Sequence, residues 1–300
     1  MNTRRDFLKS ASALAAASAF PGAAKQNGFS VCFFSKHLPK MDVTTLARAV
    51  KKLGFSGVDL TVRPGGHVLP ERAAEELPRA VEAIRAEGMS VPMITTALTS
   101  ASDPAARAIL STAGKLSIPH FKPGYYKYSF IDVRSELEKA MKDFRSLIDL
   151  SSQYGVQAGF HNHEANVGES LWDVASTIDQ LDPKWAGYYF DVRHAVCEGG
   201  AAGWKIAFNL IAPRLKMIAV KDFYWGKTSK GWQQINCPLG EGMVDWKTYG
   251  KMLRKADFHG PISLHLEYDI PGETTAVIEK NTLAAASRDL EFLKTQLETA

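Results

Sequence analysis

The stretch VQAGFHNHE, residues 156–164, begins as an apolar run and ends abruptly in His161, Asn162, His163 and Glu164. Desolvating even one uncharged polar group without a partner costs ~2–7 kcal/mol. Four such groups closing a segment that reads as a buried strand therefore need partners or a ligand. The same ending recurs along the chain: Arg63 after GVDLTV, Lys122 after IPHF, Asp191 and His194 in FDVRH, Lys221 and Asp222 after LKMIAV, and His265 and Glu267 in SLHLEY. Residues two apart on a strand share a face. His161 thus points with His163, His265 with Glu267, and Ala219 with Lys221. Imidazoles and carboxylates gathered on one face are ligands for a divalent Mn, Co, Zn or Fe ion, or proton carriers in general acid–base chemistry. Taken alone, a His-x-His pair at a strand end is more often an ordinary hydrogen-bonded element than a ligand pair.

Something must bring these strand ends together. From residue 29 onward, short β-rich runs alternate with segments of helical period, the pattern of repeated βα units. Eight units are read. FSVCFF precedes a helix opened by Asp42 and closed by Gly54, SGVDLTV precedes a helix over 75–87, and MSVPMITTAL leads to DPAARAILSTAGKL, where Asp103 and Pro104 suit the N-cap and first helical position. IPHFKPGYY is followed by a helix over 132–154, VQAGFHNHE by one over 171–181, and WAGYYFDVRH by one over 204–212. LKMIAVKD precedes 244–256 and GPISLHLEYD precedes 275–298. Eight such units in one stretch predict an α/β chain folded as a single-domain (β/α)8 barrel over residues 25–300. An open dinucleotide-binding sheet is disfavoured, because no GxGxxG turn follows the first strand. A barrel places chemistry at the C-terminal ends of its strands, where these ionisable residues lie.

Composition narrows the function further. A formal net charge of +4 with 36 basic and 32 acidic residues interspersed gives no track for nucleic acid. Cys32, Cys197 and Cys237 are far apart with no CxxC, so neither a zinc ribbon nor a thioredoxin-type site gains support and at most one disulfide can form. The N-terminus, TRRDFLKSASALAAASAFPGAA, pairs Arg4 with Arg5 ahead of a weakly apolar, Ala-rich stretch and a small-residue end at Gly22-Ala23-Ala24. It resembles a twin-arginine export signal. Residues 1–24 are accordingly set aside from the fold, with the Tat export machinery as an expected partner and a periplasmic or extracytoplasmic destination. No later segment has the roughly 18 apolar residues of a membrane span.

Taken together, GFSGVDL, HNHE, FDVRH, VKDF, PLGEGMVDW and SLHLEY, in this order over about residues 29–298, resemble the xylose isomerase-like barrel family. That family includes sugar isomerases and epimerases, inosose dehydratases and the endonuclease IV branch. The resemblance implies one metal held by a carboxylate on strand five, an Asp on strand six, a His on strand seven in H-x-K-D and a Glu on strand eight. Asp191 matches the strand-six ligand, with His194 its companion, and Glu267 matches the strand-eight carboxylate. His161 stands where many relatives have Glu, and His163 matches the His two positions on. On strand seven Ala219 replaces the expected His. The resemblance therefore implies either a His161/Asp191/Glu267 metal set or a metal-free site in which Lys221 supplies the positive charge.

The implied chemistry is isomerisation or epimerisation of a small sugar by proton transfer next to a carbonyl. Glu267 is one expected acid–base group and His161 or His163 the other, with Lys221 stabilising the oxyanion. Lys122, His194, Arg63 and Trp225 are expected substrate contacts. Tyr125, Tyr126 and Tyr224 are further stacking candidates, and Glu241 could reach over the pocket from PLGEG. A lyase or hydratase acting on a keto-sugar uses the same first step, and a non-catalytic carbohydrate-binding barrel is the alternative from another class. An endonuclease would need more histidine ligands and a basic DNA track, which this chain lacks.

Overall fold

A computed structural model describes residues 29–299; the expected export signal over residues 1–24 lies outside them. Eight parallel strands close into a barrel: β1 (Ser30–Phe34), β2 (Gly57–Val62), β3 (Ser90–Thr96), β4 (His120–Lys122), β5 (Gln157–His161), β6 (Ala186–Asp191), β7 (Leu215–Val220) and, last in the chain, β10 (Pro261–Leu264). Each follows its sequence neighbour around the ring, and β10 closes against β1, with Ser30 level with Pro261. Eight helices cover the outside: α1 (Val43–Leu53), α2 (Ala73–Ala86), α3 (Ala106–Lys115), α4 (Val133–Ser152), α5 (Trp172–Ile178), α6 (Val192–Ile211), α7 (Trp246–Lys255) and α8 (Thr275–Thr299).

The local signals behave as their chemistry demands. Asp42 caps α1 by accepting from Thr45 N at 2.9 Å, and Gly54 ends it at φ +92°, a left-handed conformation that glycine takes without strain. Asp245 opens α7 by accepting from Thr248 N. Asp103 acts one step early: it accepts from Ala105 N in the preceding turn, and α3 begins at Ala106.

Two larger differences bear on the site. The sixth helix does not wait until Trp204 but starts directly at the end of β6, because Asp191 Oδ1 accepts from Arg193 N (3.0 Å) and His194 N (3.3 Å). His194 therefore stands on a helical first turn, and the helix bends at Gly200. The segment after β7 is an antiparallel hairpin, β8 (Asp222–Thr228) and β9 (Gly231–Cys237), not a simple loop. The PLGEGMVDW loop behind it is tied to Asp222, whose carboxylate accepts from Trp246 Nε1 (2.8 Å), Gly240 N (3.0 Å) and Val244 N (3.2 Å).

Inside the barrel, Met93, Tyr189, Met217 and Ala219 form a buried apolar cluster. Beside it is a polar layer: Asp59 is fully buried and accepts from Ser263 Oγ (2.7 Å) and Thr95 Oγ1 (2.8 Å). Among the described residues the cysteines are unpaired, and no helix is long and apolar enough to cross a membrane.

Candidate active site

Lys221 continues the line of β7 and is 3 % exposed. Its Nζ lies 3.2 Å from Asp191 Oδ2, 3.2 Å from Glu267 Oε2 and 2.9 Å from His194 Nε2. Burial alone would lower its pKa; the two carboxylates outweigh burial and raise it above the ordinary lysine value, so the ammonium persists. Burial likewise pushes Asp191 upward, but Lys221 and the hydrogen bond from His161 hold it well below the usual carboxylate range. Glu267 follows the same pattern, with Lys36 Nζ 3.0 Å from its other oxygen.

His161, the last residue of β5, places Nε2 3.3 Å from Asp191 Oδ2. Its Nδ1 is buried without a hydrogen-bond partner. Burial drives its pKa down to about 3, so the ring is neutral near pH 7, carries its proton on Nε2 toward Asp191 and leaves Nδ1 with a free lone pair. Asn162 explains the middle of the HNH motif: its side chain donates to Asp191 O (3.0 Å) and accepts from Asp191 N (2.8 Å), pinning the residue that carries the carboxylate. His163 is half-buried, with its ring 4.2 Å from that of His194 and 4.6 Å from that of Tyr125. The expected common face is thus observed for His161 and His163, whose ring centroids are 5.8 Å apart, and for His265 and Glu267, with Nδ1 3.8 Å from Oε1.

A second polar line runs beneath. His265 Nε2 meets Ser263 Oγ and Tyr189 Oη, both at 3.2 Å, and Ser263 leads to Asp59. Burial raises Asp59 to about 6 against the lowering effect of its two hydroxyl donors. Asp59, Tyr189, Lys36, Arg193 and Glu198 were not nominated from sequence. Asp59 had a readable signal, an acid inside the otherwise apolar run of GVDLTV; Tyr189 is one of two tyrosines inside β6 with nothing in the sequence to single it out, and the others sit on helical segments where polar residues are ordinary.

The remaining nominated residues divide. Lys122 is buried with Nζ 3.4 Å over the Tyr125 ring, and burial, reinforced by Arg63, pulls its pKa well below the ordinary lysine value. Arg63 lies over the Phe34 ring at 5.7 Å. Trp225 projects from β8 and is 41 % exposed. Tyr126 belongs to the core instead, stacked on Phe160 at 5.8 Å. Tyr224 and Glu241 line a cavity of about 600 Å³ with Tyr268, Asn281 and Arg288.

A divalent ion does not fit at His161, Asp191 and Glu267. The ammonium of Lys221 already bridges both carboxylates, and Ala219, level with Asp191 in the β6–β7 register, offers no donor. Among the described residues, a set of three ligand atoms all within 4.8 Å of one another is formed by Glu164, His194 and Glu198. Both Glu198 oxygens are buried without hydrogen bonds, and burial, reinforced by Glu169 and Asp191, raises this carboxyl to about 9. Arg193 Nη1 approaches the same group, 3.3 Å from Glu164 Oε2 and 3.1 Å from His194 Nδ1.

Residues 47–296 match the sequence model of the xylose isomerase-like TIM barrel family, and the chain belongs to that family. Residues 1–21 match the signal sequence of the twin-arginine translocation pathway. Comparison with curated proteins by sequence gives no match. Among solved structures, the fold is similar to D-psicose 3-epimerase from Clostridium cellulolyticum (15 % identity, 90 % of this chain and 99 % of that one, TM-score 0.69). It is also similar to 3-keto-D-glucoside 4-epimerase from E. coli (14 %, 89 % and 99 %, 0.67). A third is a xylose isomerase-like barrel protein from Mycobacterium smegmatis in complex with magnesium (15 %, 90 % and 98 %, 0.63). At these identities the likeness is one of fold.

Proposed function

We propose that this chain is an exported sugar isomerase or epimerase that works by proton transfer next to a carbonyl. The observation that carries this reading is the buried Lys221 ammonium, held between Asp191 and Glu267 and bordered by His161, His163 and His194. A site that only binds neutral sugar has no need of so many desolvated titratable groups.

The chain order around the barrel supports the division of roles. Lys221 and Asp191 come from the adjacent strands β7 and β6, while His161 on β5 and Glu267 beyond β10 flank them on either side. A carbonyl oxygen placed against Lys221 Nζ takes one of its N–H donors, and the oxyanion that develops when the neighbouring carbon loses its proton is stabilised there. The same contact loosens Lys221 from Glu267 and restores basicity to that carboxylate. His161, oriented by Asp191, presents a free Nδ1, and the imidazolium formed when it accepts a proton is stabilised by the Asp191 charge. Return of the proton to the same carbon from the other side gives epimerisation. Return to the former carbonyl carbon gives isomerisation, and loss of a neighbouring hydroxyl gives the lyase reaction. The relatives named as epimerases of free and keto-sugars support the first outcome.

A divalent cation, if bound by this chain, would be held by Glu164, His194 and Glu198 once Arg193 Nη1 moved off Glu164 Oε2 and His194 Nδ1, and would supply Lewis-acid polarisation of a sugar oxygen there. The twin-arginine match favours neutral sugars or their keto derivatives, since an exported protein would meet few phosphorylated ones.

The test is proton–deuterium exchange in D2O, followed by NMR over a panel of ketoses and 3-keto-sugars. Wild type exchanges the α-proton of a substrate; Glu267→Gln and His161→Ala slow exchange by about 10²–10⁴-fold. Absence of exchange with every neutral sugar, alongside turnover of phosphorylated ones, overturns the reading.

A further inference from the structure

The hairpin that sequence reading missed carries a row of side chains leading away from the site. Cross-strand partners in an antiparallel pair lie on the same face, as do residues two apart. Phe223 faces Asn236, Trp225 faces Gln234 and Lys227 faces Trp232, so these three pairs form one continuous face. Its inner end is fixed to the site: Asn236 Nδ2 donates to Glu267 O (3.0 Å), Asn236 Oδ1 accepts from Arg193 Nε (3.1 Å), and Arg193 lies 4.9 Å over the Phe223 ring. Arg193 in turn meets His194, which meets Lys221. Trp225 packs edge-on to Phe223 at 6.4 Å, and one pair further out is about 7 Å along the strand at ~3.4 Å per residue.

Two features of this face remain unused by the fold. Trp225 and Trp232 are 41 % and 64 % exposed, and Trp225 meets the core only at the edge of Phe223. Gln234, directly opposite Trp225, has a buried side-chain oxygen with no hydrogen-bond donor. A single exposed aromatic is commonplace. Two indoles on the site-facing side of one hairpin, with an unsatisfied amide oxygen beside the first, are the complement of a ring that is apolar on its face and carries hydroxyl donors at its edge.

We propose that the β8–β9 hairpin is a second sugar subsite, so that the substrate is a glycoside whose reacting ring sits at Lys221 and whose second ring stacks on Trp225 and Trp232 and donates a hydroxyl to Gln234. This rests on the functional reading above and names its substrate class. The alternating Lys227 and Gln234 provide polar contacts at the rim, and the indoles make the subsite tolerant of the second ring's identity, since stacking reads the apolar face rather than the hydroxyl pattern.

Binding is read separately from turnover. The full processed chain is titrated by calorimetry with glucose, methyl glucoside, cellobiose and maltose, and Trp225→Ala, Trp232→Ala, Gln234→Leu and Trp172→Ala are compared. Wild type is expected to bind at least one disaccharide about tenfold more tightly than the monosaccharides, the yield of one ring-stacking contact. Trp225→Ala and Gln234→Leu abolish that ratio and Trp232→Ala reduces it, whereas Trp172→Ala, an exposed tryptophan on α5, leaves it intact. Equal affinity for single and double sugars, an unchanged ratio in the hairpin variants, or no binding of any of the four sugars overturns the subsite. Retained disaccharide preference without any α-proton exchange would instead sink the proposed reaction while sparing the subsite.

Discussion

Lys221 Nζ lies 3.2 Å from Asp191 Oδ2, although the residue level with Asp191 on the neighbouring strand is Ala219. A lysine two positions further along β7 thus reaches the carboxylate where relatives are expected to place an imidazole. The pair is buried, with Lys221 3 % exposed and Asp191 fully enclosed. A buried ion pair is only weakly stabilising as a whole, but removing one partner strands the other charge.

Lys221→Met tests this asymmetry. It leaves Asp191 and Glu267 facing each other without their shared cation, and unfolding free energy measured in urea is expected to fall by ~3–5 kcal/mol. Adding Asp191→Asn to Lys221→Met removes the stranded charge and recovers part of the loss. A single variant as stable as wild type would show that the ammonium does not hold the two acids.

Asn162 gives a second prediction. Its two hydrogen bonds to the Asp191 backbone, at 2.8 and 3.0 Å, fix the direction of the carboxylate. Asn162→Ala leaves a buried N–H and C=O unpaired at ~1–3 kcal/mol, so the melting temperature falls. Because Asp191 is the partner of both His161 and Lys221, α-proton exchange should fall as well. Loss of stability with undiminished exchange would reduce Asn162 to a purely structural role.

The barrel and the place of its chemistry were legible because each βα unit carries a period of 2 followed by a period of 3.6, and because six strands end in ionisable residues. The hairpin escaped because YWGKTSKGWQQINC alternates only weakly and adjoins a Gly-rich loop, so its strands look like rim. His194 was misplaced for a different reason: FDVRH reads as one strand, whereas Asp191 ends β6 and caps α6 at the same time, an economy visible only in three dimensions. Lys221 between Asp191 and Glu267 was not legible, since side-chain alternation shows which residues share a face but not which charge fills the space between them.

The pH dependence of stability follows from buried neutral histidines. His37 and His161 are pushed down to about 3 and His120 to about 4, all by burial, against 6.5 for an ordinary histidine. The unfolded chain binds protons at these residues as pH falls below 6.5 and the folded chain does not, so stability present above pH 6.5 is lost progressively toward pH 3–4. Asp59 acts in the opposite sense: raised from 3.8 to about 6, it adds stability at low pH that is lost as pH rises through 6. Glu198, raised from 4.5 to about 9, acts in the same sense as Asp59; the three histidines outweigh these two carboxyls between pH 6.5 and 4.5, and denaturation at pH 7, 5.5 and 4.5 should give lower midpoints. His120→Asn, remote from the site beneath Pro92, should flatten the trend. A midpoint that rises on acidification would contradict these assignments.

Metal retention separates two ligand sets that differ by only a few residues. Glu267 is occupied by Lys221 and Lys36, at 3.2 and 3.0 Å, and an incoming dication would have to displace both ammonium groups. Glu198 has no such competitor on either oxygen and lies 3.3 Å from His194 Nδ1, so at this set only Arg193 Nη1, 3.3 Å from Glu164 Oε2 and 3.1 Å from His194 Nδ1, would have to move. Its carboxyl, raised to about 9, is protonated near neutral pH and must lose that proton to bind, so uptake should strengthen with pH. After equilibration with Mn, Co or Zn and desalting, any ion retained by wild type is expected to be lost in Glu198→Gln and kept in Glu267→Gln, with retention greater at pH 8.5 than at pH 6.5. Circular dichroism of each variant excludes unfolding as the cause. The reverse pattern, with Glu267→Gln releasing the ion from an intact barrel and Glu198→Gln keeping it, would return the centre to His161, Asp191 and Glu267 and require Lys221 to swing away from both acids.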